Sequence, residues 1–470
     1  MSERLRVCLI LEGSYPFITG GVSSWVHQLI QRLPEVDFVL YTISPKKDQT
    51  LSYELPENVV EHVDLVLSER KKSSYKSLYR KKKIFKEIVE MHKLFMLNTV
   101  PSIDNLINMM EPGYYLYYDS VKQREGWNLI VENNVKNNPI YPFSDYFWAW
   151  KSTHDMIFSV MGFEAPDADV YHAISTGYAG LAGVVAKIRK GKPLILTEHG
   201  LYHKEREIEI RRTNLIRGYQ RDMWIKIYNM LSKLTYKYSD LIISLFEYNR
   251  EKQIELGAPE EKTLVIPNGI DIERFASIKR EKREGFHVGL VGRVVPIKDI
   301  KTFISTAKII SKEIPESQFY CIGPTDEDPG YFEDCKLLVK SFHLENKFHF
   351  TGKQDVRKYY SFLDVLMLTS IREAQPLVLL EGFCSGVPAV ATRVGNVPEL
   401  LDYDDNFLAP SKDPVKLAAG VKYIYDNPET MQGIVARNRE KVIRFYDREK
   451  VYRKYGDIYQ GVARGEGWLE

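Results

Sequence analysis

The feature that most constrains this chain is a repeated alternation of short apolar runs with segments of helical periodicity, begun once near the start and again after residue 285. Buried parallel strands read as unbroken apolar stretches, and each needs a crossover helix to reach the next, so the pattern predicts doubly wound α/β architecture. In the first half the strands fall at Leu5–Leu11, Phe38–Ile43, Val170–Ile174, Pro193–Thr197 and Leu241–Leu245. Between the first two, Val22, Trp25, Val26, Leu29, Ile30 and Leu33 recur at helical spacing. The second half restarts with Val288–Val291, then a helix carrying Ile300, Phe303, Ile304 and Ala307, then strands near Phe319–Gly323, Phe348–Thr351, Val365–Thr369 and Pro388–Thr392. At 470 residues the chain has room for two such domains. The reading places them at 1–272 and 273–445, facing across a cleft, with a last helix over 446–470 returning to the first.

About 64–166 lacks the strand–helix rhythm and is expected to be a helical insertion in the first domain. Residues 70–83 hold eight Lys or Arg (Arg70, Lys71, Lys72, Lys76, Arg80, Lys81, Lys82, Lys83) and no acid, a solvated face or a contact for anionic lipid. Aromatic residues crowd 112–150, as sugar-stacking platforms or as the core of a helical lobe. The 65 basic and 63 acidic residues leave +2, too small a field for a generic nucleic-acid binder. Four scattered cysteines, with no CxxC pair, form neither a zinc framework nor a disulfide scaffold. With no signal peptide and no apolar stretch near the ~20 residues of a membrane span, the expected location is cytoplasmic.

Chemistry is expected at the carboxyl ends of the strands, where open α/β sheets bind ligands. Gly20 and Gly21 precede a helix and let backbone N–H groups approach a phosphate, with Ser23 or Ser24 as the cap. The spacing is not GxGxxG, which disfavours a nicotinamide site. His199, in Thr197-Glu198-His199-Gly200, could donate to a hydroxyl or serve structure alone. Arg293 and Lys298 flank a helix start, suiting a diphosphate gripped by a fork and a point charge, or they are solvated loop charges. In Arg372-Glu373-Ala374-Gln375-Pro376-Leu377-Val378-Leu379-Leu380-Glu381, the N–H groups of Gln375, Leu377 and Val378 open a helix toward an anion. Glu381 stands in an apolar stretch and needs a partner, either a ligand diol or Arg372 or Arg393. Asp326-Glu327-Asp328 and Asp402-Tyr403-Asp404 read as loops rather than metal sites.

The strings GGVSSWVHQL, TEHG, VIPNGID and GRVVPIKD, with two glutamates eight residues apart, resemble the family 4 glycosyltransferases of GT-B fold. The opening EGSYPFITGG, TEHGLYHKER and the insertion are similar to the branch that serves Pel-type exopolysaccharide synthases. The resemblance implies retaining, metal-independent transfer of a hexose from a nucleotide diphosphate sugar, with uridine as base, to a polysaccharide acceptor. It implies no cofactor and no nucleic-acid partner, but membrane-embedded synthase components that could recruit the chain to the inner membrane face. Residue by residue it gives Gly20 and Gly21 to the donor phosphate and acceptor, His199 to the donor sugar, and Arg293 and Lys298 to the diphosphate. Glu373 then serves the sugar hydroxyls and Glu381 the ribose diol. Asn396 stands where the family often has a second glycine, and Ala374-Gln375-Pro376 replaces its usual Phe-Gly. A non-catalytic nucleotide-sugar sensor, a nucleotide-sugar epimerase and a phosphorylase carrying a pyridoxal lysine are the rival classes.

Overall fold

The computed structural model describes residues 4–47, 49–67, 78–112, 124–137, 142–213 and 218–466. The chain divides into two compact units, Met1–Ile266 with Tyr452–Glu470, and Pro267–Val451.

The sheet of unit 1 has the order β3-β2-β1-β4-β5-β6-β7. Its strands are β1 (Arg6–Glu12), β2 (Asp37–Ser44), β3 (Val59–Val66), β4 (Val170–Ala173), β5 (Leu194–Glu198), β6 (Leu241–Ser244) and β7 (Thr263–Val265). Every pairing is parallel, with Cys8 of β1 beside Val39 on one side and Tyr171 on the other. The described helices are α1 (Gly21–Arg32), α2 (Leu78–Met96), α3 (Asp104–Met109), α4 (Arg124–Asn137), α5 (Phe143–Met161), α6 (Tyr178–Lys190), α7 (Tyr202–Arg212), α8 (Tyr219–Tyr238) and α9 (Glu247–Leu256). α1 buries Trp25, Val26, Leu29 and Ile30, the apolar face its spacing predicts. Between β3 and β4 the described elements are α2 to α5, and Ile84, Ile88, Ile130, Trp150 and Phe158 join the unit 1 core. Residues 70–77 of the basic run, with four of its eight basic residues, lie outside the described residues, as do 113–123 and 138–141 of the aromatic-rich stretch.

The longest strand to escape the sequence reading is β3. VVEHVDLV alternates partly buried and exposed side chains, as an edge strand covered on one face must, so it lacks the continuous apolar signature. β3 therefore runs to Val66, past the expected start of the insertion at 64.

The sheet of unit 2 has the order β10-β9-β8-β11-β12-β13, again with every pairing parallel. Its strands are β8 (Phe286–Val291), β9 (Ser317–Ile322), β10 (Phe348–Gly352), β11 (Val365–Leu368), β12 (Ala389–Thr392) and β13 (Leu408–Ala409). Its longer helices are α10 (Ile300–Glu313), α11 (Pro329–Ser341), α12 (Leu377–Cys384), α13 (Pro414–Asp426) and α14 (Pro428–Phe445), followed by α15 (Arg448–Arg464). From Tyr452 onward α15 counts with unit 1. There Tyr459 Oη lies 2.7 Å from His172 Nδ1, whose Nε2 is 2.8 Å from Thr197 Oγ1, and Tyr455 Oη is 3.4 Å from the same hydroxyl. All four residues are fully buried, so the inner face of this helix completes a polar network as well as an apolar one.

Strand order reverses direction between β1 and β4 in unit 1 and between β8 and β11 in unit 2. At such a switch point the flanking loops part and leave a crevice beyond the carboxyl ends of the strands. In unit 2 those loops run from 292 to 299 and from 369 to 376, and they carry Arg293, Lys298 and Glu373.

Candidate active site

The two unit 2 loops are stitched together. Ile371 N–H donates to the Ile297 carbonyl (2.9 Å), and Thr369 Oγ1 donates to the Lys298 carbonyl (2.7 Å). This fixes the start of the Lys298 side chain over the loop that follows β11. The Lys298 ammonium then pairs with Glu373 Oε1, which also accepts from Ser370 Oγ at 2.7 Å. Lys298 and Glu373 keep only 18% and 16% of their side-chain surface exposed, so the pair is largely desolvated yet open to a ligand. Nothing local links residues 75 apart in the chain; the β8–β11 pairing brings them together.

Arg293 is engaged elsewhere. Its Nη1 donates to both carboxylate oxygens of Glu327, at 2.7 and 2.6 Å, with about half of each side chain in solvent. An exposed pair of this kind is worth only ~0–1 kcal/mol, so a diphosphate could exchange for Glu327 at little cost. The neighbouring acids have structural partners. Asp328 caps α11 by accepting from Tyr331 N–H, Asp402 meets Lys441 and Arg437, and Asp404 accepts from Asn406 N–H.

α12 begins after Pro376 with no side-chain cap, and its first-turn N–H groups at Leu377 and Val378 have no acceptor within the helix. The Gln375 side chain is clamped instead: Oε1 accepts from Asn268 N–H (2.8 Å), and Nε2 donates to the Asn268 carbonyl (3.1 Å). Glu381 sits one turn and more into α12 and takes neither expected arginine. Arg393 pairs with Asp405, whereas Glu381 Oε2 accepts from the buried Tyr360 hydroxyl at 3.2 Å. Burial pushes the Glu381 carboxyl up to about 7, against a smaller opposing pull from Tyr360 and Arg274.

Gly395 closes this region. It holds φ +51°, and an added Cβ would lie 2.2 Å from the Ala374 carbonyl and 2.3 Å from that of Glu373. The next residue, Asn396, donates its N–H to Ala374 O at 3.0 Å. Gly395→Ala is expected to lower unit 2 stability by about 2–4 kcal/mol and to displace the Glu373 loop. A thermal melt unchanged from the parent would contradict that.

In unit 1 the loop after β1 ends at Gly20 and Gly21, where added Cβ atoms would meet nothing within 4 Å. The expected serine cap is absent. The N-cap is Gly20, Ser23 is buried inward, and Ser24 Oγ accepts from Gln28 Nε2. The first turn of α1 therefore offers its N–H groups with neither a cap nor an acidic side chain. One turn on, the Trp25 ring packs edge-on against His199 with centroids 4.6 Å apart, which joins the glycine loop to the end of β5. Burial pushes His199 down to about 4, so the ring is neutral near pH 7, and its Nε2 is buried without a hydrogen-bond partner among the described residues.

Sequence reasoning missed a second group at these strand ends. Glu12 accepts from Tyr178 N–H (2.8 Å) and from the Tyr202 hydroxyl (2.9 Å), and Arg206 stacks over the Tyr202 ring. A Cβ at Gly177 would strike Tyr202 at 2.2 Å, so that glycine makes room for the cluster. A glutamate ending an apolar strand was the available signal. Glu198, one residue before His199, is structural: Tyr236 (2.6 Å), Gln253 (2.9 Å) and Thr176 (3.1 Å) all donate to it.

Residues 5–261, more than half of the chain, match the family described as Domain of unknown function (DUF3492). The chain belongs to the DUF3492 family. In this DUF3492 protein, residues 285–427 also match the family described as Glycosyl transferases group 1. The chain is 26% identical over 251 residues to the N-acetyl-alpha-D-glucosaminyl L-malate synthase of Bacillus anthracis, covering 51% of this chain and 64% of that one. Less than two thirds of that relative's length is therefore spanned. It is 27% identical over 311 residues to the Escherichia coli UDP-Gal:alpha-D-GlcNAc-diphosphoundecaprenol alpha-1,3-galactosyltransferase, covering 62% of this chain and 75% of that one. Among solved structures, a Rickettsia africae glycosyltransferase superposes over 99% of this chain and 100% of its own (TM-score 0.59, 15% identity). The sucrose-phosphate synthase of Thermosynechococcus elongatus superposes over 98% and 100% (TM-score 0.60, 17% identity). The two parallel-sheet units are those of the GT-B fold. No helix among the described residues is long and apolar enough to cross a membrane.

Proposed function

We propose that this protein is a retaining, metal-independent hexosyltransferase that moves a sugar from a uridine diphosphate sugar to a growing exopolysaccharide. The observation that carries this reading is the Lys298–Glu373 pair, fixed at the switch point of unit 2 beside the uncapped N-terminus of α12. The group 1 match over 285–427 supports the transferase class, and the donor in the Escherichia coli relative's name, UDP-Gal, supports uridine.

In this mechanism the bond between the anomeric carbon and the leaving phosphate oxygen breaks as an acceptor hydroxyl adds to the same face. The acceptor proton passes to the departing phosphate, so no protein nucleophile takes part. Negative charge grows on the diphosphate, and Lys298, Arg293 released from Glu327, and the N–H groups of Leu377 and Val378 are placed to stabilise it. Glu373 accepts from sugar hydroxyls and Glu381 from the ribose diol. His199, neutral, hydrogen-bonds the donor sugar, and the open backbone at Gly20 and Gly21 admits the phosphate or the acceptor. By resemblance of the N-terminal strings, the finer assignment is PelF of a Pel-type synthase, with membrane-embedded partners for secretion.

A thermal-shift panel with uridine-, guanosine- and adenosine-diphosphate sugars tests the donor. Stabilisation by the uridine series alone is expected, because a ligand bound only by the folded state raises its melting temperature. No shift with any of them overturns the reading. Turnover undiminished by excess EDTA is the companion expectation, and full loss restored by Mg²⁺ refutes metal independence.

A further inference from the structure

Unit 1 also holds a cavity of about 260 Å³ where α7, α8 and α9 meet Asn98 just beyond α2, lined by none of the site residues described above. Three ammonium groups, Lys204, Lys233 and Lys252, line it against one carboxylate, Glu255. Glu255 is used up by Lys252, whose Nζ lies 2.6 and 2.7 Å from its two oxygens. Lys233 Nζ donates to Asn98 Oδ1 at 3.0 Å, a neutral acceptor that leaves its charge uncompensated. Lys204 has only a loose approach to Glu207, at 3.7 Å.

At the wall of this basic cavity stands His203, 4% exposed, with Nδ1 buried and without a hydrogen-bond partner among the described residues. Buried polar atoms are nearly always satisfied, and one that is not points to a missing partner. Burial, with Lys204 adding, pushes His203 down to about 4, so the ring is neutral and brings one N–H donor without a further charge. Ammonium donors, an imidazole and the Asn229 amide form a donor-rich wall with uncompensated positive charge. A cation would be repelled, and a neutral sugar would leave the charge of Lys233 unmet. A tetrahedral oxyanion matches this chemistry, since it accepts from ammonium, imidazole and amide N–H groups alike, and the volume leaves room for a small substituent on it.

We propose that this cavity is a binding site for a phosphate-bearing ligand, separate from the donor site of unit 2. The phosphoryl group could come from a soluble phosphate ester or from a lipid headgroup, and the two sources share the same recognition. The test uses the full chain with ¹⁵N-labelled histidine, titrated with inorganic phosphate and followed through the ring nitrogen signals. The His203 signals, assigned through His203→Gln, are expected to move saturably in the millimolar range and to be indifferent to matched chloride. Lys233→Met should weaken the response roughly tenfold, because it removes one charge-assisted hydrogen bond to the phosphoryl group. Should His203→Gln fail to fold, Lys233→Met still reports as the weakening of one saturable histidine response among the ten, because Lys233 is only partly buried. In a Lys298→Ala background the His203 response should persist, which keeps this site's failure distinct from that of the donor reading. Flotation with phosphatidic acid vesicles separates the sources: Lys233-dependent flotation identifies a headgroup, and its absence alongside the phosphate response identifies a soluble ester. Absence of any His203 response to phosphate overturns the proposal.

Discussion

Lys298→Ala is expected to lower kcat/KM for sugar transfer by roughly 10²–10³-fold while leaving the melting temperature within a few degrees of the parent. The size follows from geometry. The backbone at Lys298 is held by Thr369, and its loop by the Ile371–Ile297 bond, so the ammonium is positioned before the donor arrives. A fixed cation in a partly desolvated site stabilises developing phosphate charge without reorganising. Removal also strips Glu373 of its counter-ion and leaves a carboxylate, 16% exposed, facing an incoming diphosphate. The double variant Lys298→Ala/Glu373→Gln should therefore bind nucleotide better than Lys298→Ala alone, a non-additivity that calorimetry can read. Lys298→Arg is not expected to rescue, since a planar fork cannot occupy the place of a point charge. Transfer by Lys298→Ala within about fivefold of the parent would remove Lys298 from the mechanism.

The second large effect concerns Glu381 and depends on pH. Its carboxyl titrates near 7 in the folded chain against a reference of 4.5. Between those values the folded state keeps a proton that the unfolded chain has released. The associated stability is full below 4.5 and is lost as pH rises through 7. Glu381→Gln carries no charge at any pH, so it should be more stable than the parent at pH 8, by no more than about 2–3 kcal/mol, with the gain gone near pH 4.5. The same variant should bind nucleoside diphosphate about 10–100-fold more weakly, because an amide cannot replace a carboxylate that accepts from both hydroxyls of a diol. Parent affinity should rise as pH climbs past 7, because only the ionised form accepts from two hydroxyls, whereas the variant should be flat. A carboxylate that weakens the fold is intelligible at a ligand site. Equal melts at pH 8, or equal affinities, would return Glu381 to an ordinary half-buried side chain.

Much of the architecture was legible because parallel strands buried on both faces leave unbroken apolar runs such as Val7–Leu11 and Val288–Val291. The strands that escaped are those without that signature: β3, covered on one face, and the two- and three-residue β13 and β7. At the site, the loops bearing Lys298 and Glu373 could be named in advance, but their pairing could not, since it depends on which strands are neighbours. Arg293 shows the opposite limit. Its residue type fitted a diphosphate, and only the fold reveals that the acid-rich loop after β9 supplies Glu327 as its present partner. Glu381 in its apolar stretch calls for a partner, and the one the fold supplies is a tyrosine from a separate short helix, which charge pairing along the chain has no way to suggest. His203 carried no signal at all, because a buried ring nitrogen becomes an orphan only once α7, α8 and α9 have closed around it.

The tyrosines of α15 bear on how the molecule is made. Tyr455 and Tyr459 meet His172 and Thr197 in the middle of unit 1, although almost three hundred residues of synthesis separate Tyr459 from His172. A ribosome emits the chain from its amino end, so every residue of unit 2 has emerged before the Tyr459 hydroxyl that meets His172. The portion born first is thus the portion finished last, and a nascent chain stalled anywhere short of Tyr459 leaves one of the two ring nitrogens of His172 without its hydroxyl.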